Sequence, residues 1–146
     1  MTAGESCGCG GSDRACVFAS ALQARATGCE LARRICLAER ELLECGSPVA
    51  RINCETLAAL LRERSRFALR LPAPGRPLMH AQVLRLQCGG LTALQSLLGG
   101  PADVHRLVMG AQAVHGSLAD LPWGSLVPAI AAWRLRPRAR PARPGP

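Results

Sequence analysis

The chain contains no lysine and no tyrosine, and its only large aromatic residues are Phe18, Phe67, Trp123 and Trp133. With so few rings, leucine, alanine, valine and cysteine have to fill any core. All 18 basic residues are arginine, beside abundant alanine, glycine, proline and leucine, the pattern that a GC-rich coding bias produces. Arginine is therefore weaker testimony for phosphate recognition here than in a chain that mixes both bases.

Long apolar runs are missing too. The most apolar stretch, 117–133, is interrupted by Asp120, Pro122, Gly124 and Pro128, which rules out a membrane span there. Met1 to Ser6 lack the basic patch and apolar run of a secretory signal. These absences predict a cytoplasmic protein with no membrane contact, whose thiols stay reduced. No C-x2-C pair occurs, so the zinc-ribbon and ferredoxin spacings are excluded. There is no H-E-x-x-H pair and no glycine loop for phosphates.

What is present is thiol. Seven of the eight cysteines fall within the first 54 residues: Cys7, Cys9, Cys16, Cys29, Cys36, Cys45 and Cys54; Cys88 stands apart. A chain of 146 residues is one domain by length and buries roughly 68–70% of its unfolded surface, so it needs no staple to fold. Eight cysteines in a reducing compartment then point to soft-metal binding, redox use or plain burial.

The pattern predicts an all-α fold, a compact bundle of five to seven short helices over 13–133. A flexible glycine- and cysteine-rich segment (1–12) precedes it and a disordered tail (134–146) follows. Ser12 or Asp13 caps a first helix to about Ala26, and Glu30 with Arg33 and Arg34 suits a second from Cys29 to Cys45. Gly46-Ser47-Pro48 reads as a helix end, an N-cap and a first helical residue, opening a third helix to about Phe67. Leu71 to Pro77 is the main linker, and the preceding 67–71 alternates like a short extended piece. Further helices follow over about 78–87, 91–98 and 102–115, with Gly89-Gly90 as a break or close-packing point, and a proline-interrupted one lies near 117–133.

On a helical reading, Cys29 and Cys36 share one face and Cys45 lies opposite them. Cys54 comes near Cys36 across an antiparallel helix pair, and Cys16 approaches if the first helix folds back. The candidate ligands are thus Cys29, Cys36 and Cys54, with Cys16 or Cys45 as a fourth, and the candidate cofactors are zinc or an iron–sulfur cluster. Burial as small hydrophobes competes with that reading. Cys7-Gly8-Cys9 is a second, flexible chelating pair or an unselected tail. Cys88 beside Gly89-Gly90 is at most a weak nucleophile motif, so catalysis ranks last.

The tail carries Arg134, Arg136, Arg138, Arg140 and Arg143 with no acid, which is +5 of the net +8. It could contact nucleic acid or an acidic protein partner, but lacks an aromatic for base stacking, and a solvated tail is the simpler reading.

Cys29 to Arg34, Ser47 to Cys54, Leu84 to Gly90 and Leu118 to Trp123 together resemble a group of small proteobacterial cysteine-containing helical proteins. The resemblance implies a bacterial, cytoplasmic, single-domain protein and no particular chemistry.

Overall fold

The structure, a computed structural model, describes residues 14–134. Its elements run α1 (Ala19–Gln23), β1 (Ala32–Leu37), β2 (Arg40–Cys45), α2 (Pro48–Ser65), α3 (His80–Leu84), a π-helical turn (Arg85–Gly89), α4 (Gly90–Leu98), α5 (Val104–His115), a 3-10 turn (Leu118–Asp120) and α6 (Trp123–Ala132). The Cys7-Gly8-Cys9 pair and the arginine tail beyond Arg134 lie outside the described residues.

The all-α expectation fails at one place. Residues expected to form a second helix instead form an antiparallel β-hairpin, with Ala32 opposite Cys45, Arg34 opposite Leu43 and Leu37 opposite Arg40. A two-residue connection joins the strands, with Ala38 at φ 56°, the sign that tight hairpin turns demand. Arg33 faces Glu44 across the ladder. Arg34 pairs with Glu41 at 2.9 Å. Of the charges expected to pair on a helix surface, Arg33 and Arg34 thus face β2, while Glu30 reaches His105 and Arg106 of α5 instead.

The first helix is also shorter than expected. Arg14 to Cys16 run alongside β2, where Cys16 N–H donates to Leu43 O at 2.9 Å and Cys45 N–H donates to Arg14 O at 2.7 Å. Those bonds hold the chain against β2 through Cys16, and a turn at Val17-Phe18 then leads into α1.

The helix signals after the hairpin act as read. Ser47 caps α2 by accepting from Ala50 N–H, and Pro48 occupies its first turn. Gly89-Gly90 is a close-packing point rather than a break: a Cβ on Gly90 would sit 2.7 Å from Leu61 Cδ2. The π-turn keeps α3 and α4 in one continuous helical run. Residues 67–71 are not extended; Leu69 and Leu71 donate back to Ser65 and Arg66.

One core joins these helices. Leu57 and Leu61 of α2 pack with Leu91 and Leu94 of α4, Leu107 and Ala111 of α5, and Leu126 and Ile130 of α6. Phe18, fully buried, pins the N-terminal segment to it. Cys16, Cys29 and Cys54 pack against the edge of this core, beneath the hairpin. Among the described residues no helix is long and apolar enough to cross a membrane.

Candidate functional site

Four of the five candidate cysteines line one small cavity: Cys16, Cys29, Cys45 and Cys54. They come from four separate segments, so the convergence is a property of the fold rather than of a local motif.

Each segment is tied down. Cys16 precedes α1, held by its own N–H on Leu43. Arg51 of α2 donates from Nε to Ala15 O at 2.8 Å. Gln87, presented by the π-turn, accepts from Ala21 N–H at 3.1 Å and donates to Val17 O at 3.0 Å. Cys29 lies in the loop before β1, which is anchored on the start of α5. There Gly28 N–H donates to Ala102 O at 3.0 Å and Val104 N–H donates to Gly28 O at 2.9 Å. Asp103 completes the anchor: one carboxylate oxygen accepts from Glu30 N–H at 2.7 Å, the other caps α5 by accepting from Arg106 N–H at 3.0 Å. Cys45 ends β2, and its thiol donates to Ser47 O at 3.2 Å. Cys54 stands in the second turn of α2.

Cys36 does not join them. It shares a hairpin face with Cys45, but its opposite number is Glu41. Four residues of strand separate Glu41 from Cys45, roughly 14 Å at the usual rise. Cys36 is exposed at the far end. The helical reading set Cys36 beside Cys29 and Cys45 opposite them; in the hairpin Cys36 and Cys45 share a face, and the reversal at Ala38-Glu39 returns Cys45 to the Cys29 end while leaving Cys36 near the turn.

Sequence reasoning missed two further lining residues, Arg51 and His105. His105 stands in the first turn of α5, its Nε2 3.8 Å from Glu30 Oε1. No local spacing could have flagged it, since the loop–helix contact that brings it in spans more than seventy residues of chain.

The electrostatics follow from burial. Removal from water raises the Cys16 thiol above its ordinary value, a hydrogen bond from the Phe18 backbone opposes this, and Cys29 and Cys45 add to the rise while Arg51 offsets part of it. Desolvation, reinforced by Cys29, Cys16 and Cys45, pushes the Cys54 thiol up to about 12. The thiols thus sense one another, and near neutral pH Cys16 and Cys54 keep their protons. All six described cysteines are free. Cys88 is fully buried in the π-turn, its thiol raised by that burial, which opposes the rank-last nucleophile reading.

The residue types that line the cavity are those a thiophilic cation takes, although their side chains are not placed to hold one. Four sulfurs and one imidazole are the soft ligands that zinc prefers, and Arg51 with the N-terminal turn of α2 can offset thiolate charge. The free room is about 10 Å³, that of one water-sized sphere. Tetrahedral zinc at about 2.3 Å from each sulfur requires sulfurs roughly 3.8 Å apart. Among the described residues no three or more His, Cys, Asp or Glu side chains already stand in such a geometry. Ligation therefore requires side-chain rotation, most plainly at Cys45, whose thiol is engaged with Ser47.

No protein-family model matches the chain, and neither a curated protein nor a solved structure matches it.

Proposed function

We propose that the protein binds a single soft metal ion, zinc in type, through Cys16, Cys29, Cys45 and Cys54, and serves as an accessory or carrier rather than as an enzyme. One observation carries the reading: four thiols from four separately anchored segments line the same cavity. Chance burial of small hydrophobes gives no reason for that gathering, whereas a tetrahedral thiophilic ion needs it. The small room favours one ion over a four-iron, four-sulfide cluster. The continuous apolar core on the far side of the cavity supports a held cargo rather than a folding staple. Free thiols at every described cysteine suit a reducing, cytoplasmic setting.

Binding would displace thiol protons, so uptake strengthens as pH rises. The thiolates of Cys16, Cys29, Cys45 and Cys54 would bind and orient the ion, Arg51 would balance charge, and His105 would stand by as a fifth donor. The test is purification under reducing, anaerobic conditions, followed by metal analysis and titration with cobalt. One ion per chain with a sulfur-to-metal absorption band is expected; a folded chain that takes up no ion would end the reading.

Plain burial is the second reading, favoured by the packing of Cys16, Cys29 and Cys54 on the core. The protein would then be a non-catalytic interaction protein, with its Arg134–Arg143 segment as the contact for acidic partners or nucleic acid.

A further inference from the structure

A second, larger cavity of about 500 Å³ opens on the other side of Cys29. Cys29 lines both spaces, whereas Cys16, Cys45 and Cys54 line the inner one alone. The outer pocket lies between the end of α1 and the hairpin face carrying Ala32, Arg34, Glu41 and Leu43, and its size falls within the range of small-molecule sites. A reagent that enters it meets a single thiol, Cys29, with three more behind that one.

Joining two thiols asks less of the geometry than holding an ion does. A disulfide needs one pair of sulfurs, not the three or more ligands that the described residues do not assemble. The inner room is about 10 Å³, one water across, a gap that a side-chain rotation bridges. Hydrogen bonds then distinguish the three thiols behind Cys29. The Cys45 thiol donates to Ser47 O at 3.2 Å. The Cys16 sulfur accepts from the Phe18 backbone. Cys54 has no such bond among the described residues; burial dominates its surroundings, and Cys29 is the neighbouring thiol that acts on it most strongly. Turning Cys54 toward Cys29 therefore sacrifices no hydrogen bond.

From this placement we infer that Cys29 is a modification site for a small disulfide arriving through the outer pocket, and that Cys54 resolves the adduct into an internal Cys29–Cys54 disulfide. In the first step the Cys29 sulfur attacks one sulfur of the incoming disulfide, whose S–S bond breaks. One carrier thiolate leaves, taking up the Cys29 proton, and a mixed disulfide remains on Cys29. In the second step the Cys54 sulfur attacks the Cys29 sulfur, and its proton passes to the second carrier thiolate as that departs. Two protein thiols are thereby oxidised by two electrons, and one carrier disulfide is reduced to two thiols. Because burial pushes the Cys54 thiol up to about 12, closure is the slower step and the adduct on Cys29 accumulates first. The product ties the loop before β1 to α2. It involves no bound ion and stands apart from the metal reading.

The experiment takes the full, metal-free chain with Cys7→Ser, Cys9→Ser and Cys36→Ser, which leaves the four cavity thiols and the fully buried Cys88. Glutathione disulfide is the probe. Samples are quenched with an alkylating reagent over time, and peptide mass spectrometry locates each adduct and each internal disulfide. A glutathione adduct on Cys29 is expected first, followed by its replacement with a Cys29–Cys54 disulfide. Cys54→Ala, or Cys54→Ser if the alanine variant unfolds, should trap the adduct on Cys29, and Cys29→Ala should abolish both products. Cys45→Ala should react as its parent does. The parent chain alone already decides the pairing: a first adduct on Cys16, Cys45 or Cys54, an unmodified Cys29 in the folded protein, or an internal disulfide that omits Cys29 or Cys54 would overturn the inference. So would an adduct that is lost as quickly without Cys54 as with it.

Discussion

Asp103 offers the sharpest dissection of how the fold holds its thiols. Its two carboxylate oxygens have separate tasks: one caps α5 through Arg106 N–H, and the other fixes the Cys29 loop through Glu30 N–H. Asp103→Asn keeps an oxygen for the cap, and asparagine is as good an N-cap as aspartate. It replaces the second acceptor by an amide donor, which cannot receive Glu30 N–H. A hydrogen bond to a charged acceptor is worth about 1.5–3 kcal/mol, and exposure here puts the loss near the lower end. We therefore expect Asp103→Asn to destabilise the fold by about 1.5 kcal/mol. Asp103→Ala, which also loses the cap, should cost about 1 kcal/mol more. Because the lost bond sits one residue from Cys29, about tenfold weaker metal binding should accompany Asp103→Asn, as 1.4 kcal/mol passed to the site would give. Urea unfolding gives the stability, amide exchange at Glu30 gives the local release, and chelator competition gives the affinity. An Asp103→Asn protein with wild-type protection at Glu30 and wild-type affinity would refute the anchoring argument.

Other outcomes follow from the same contacts. Gln87→Leu strands Val17 O and Ala21 N–H and should cost about 2 kcal/mol, with faster amide exchange around Phe18; unchanged exchange there would contradict the latch. Ser65 is fully buried and its hydroxyl lacks a partner among the described residues, so Ser65→Ala should leave stability unchanged or raise it by about 1 kcal/mol, as read by the denaturation midpoint. The metal-free fold holds the Cys54 proton more tightly than the unfolded chain, with a thiol at about 12 against an ordinary 9.0. Its contribution is thus complete below about pH 9 and drains away as pH climbs toward 12, Cys16 adding in the same direction. Denaturation of the metal-free protein across that alkaline range should show this loss, and Cys54→Ala should flatten it.

The helical bundle was legible because its signals are local. Ser47-Pro48 announces α2 and Gly99-Gly100-Pro101 ends α4, as the caps and the left-handed Gly99 bear out. The hairpin was illegible for a local reason as well. Its turn is Ala38-Glu39 with neither glycine nor asparagine, so no turn residue marked a reversal inside the charged run. The spacing of Glu30, Arg33 and Arg34 fits a helix surface equally well. With the reversal at Ala38-Glu39 missed, a continuous helix set Cys36 beside Cys29 and Cys45 opposite, whereas the hairpin returns Cys45 to the Cys29 end and leaves Cys36 near the turn. The rest of the site depends on contacts that no window along the chain contains: Gly28 beside Asp103, and Gln87 reaching Val17 and Ala21. The thiols themselves were visible from the start, and which four gather was decided by tertiary structure.

The most direct test of the four-thiol cavity is a serine scan of the six described cysteines, with cobalt affinity and the sulfur-to-metal absorption read for each reduced variant. Cys16→Ser, Cys29→Ser, Cys45→Ser and Cys54→Ser should each weaken binding by tenfold or more and reduce the absorption band, while Cys36→Ser and Cys88→Ser bind as the wild type does. Equal losses at Cys36 and at the four cavity cysteines, or no loss at any of them, would contradict the account.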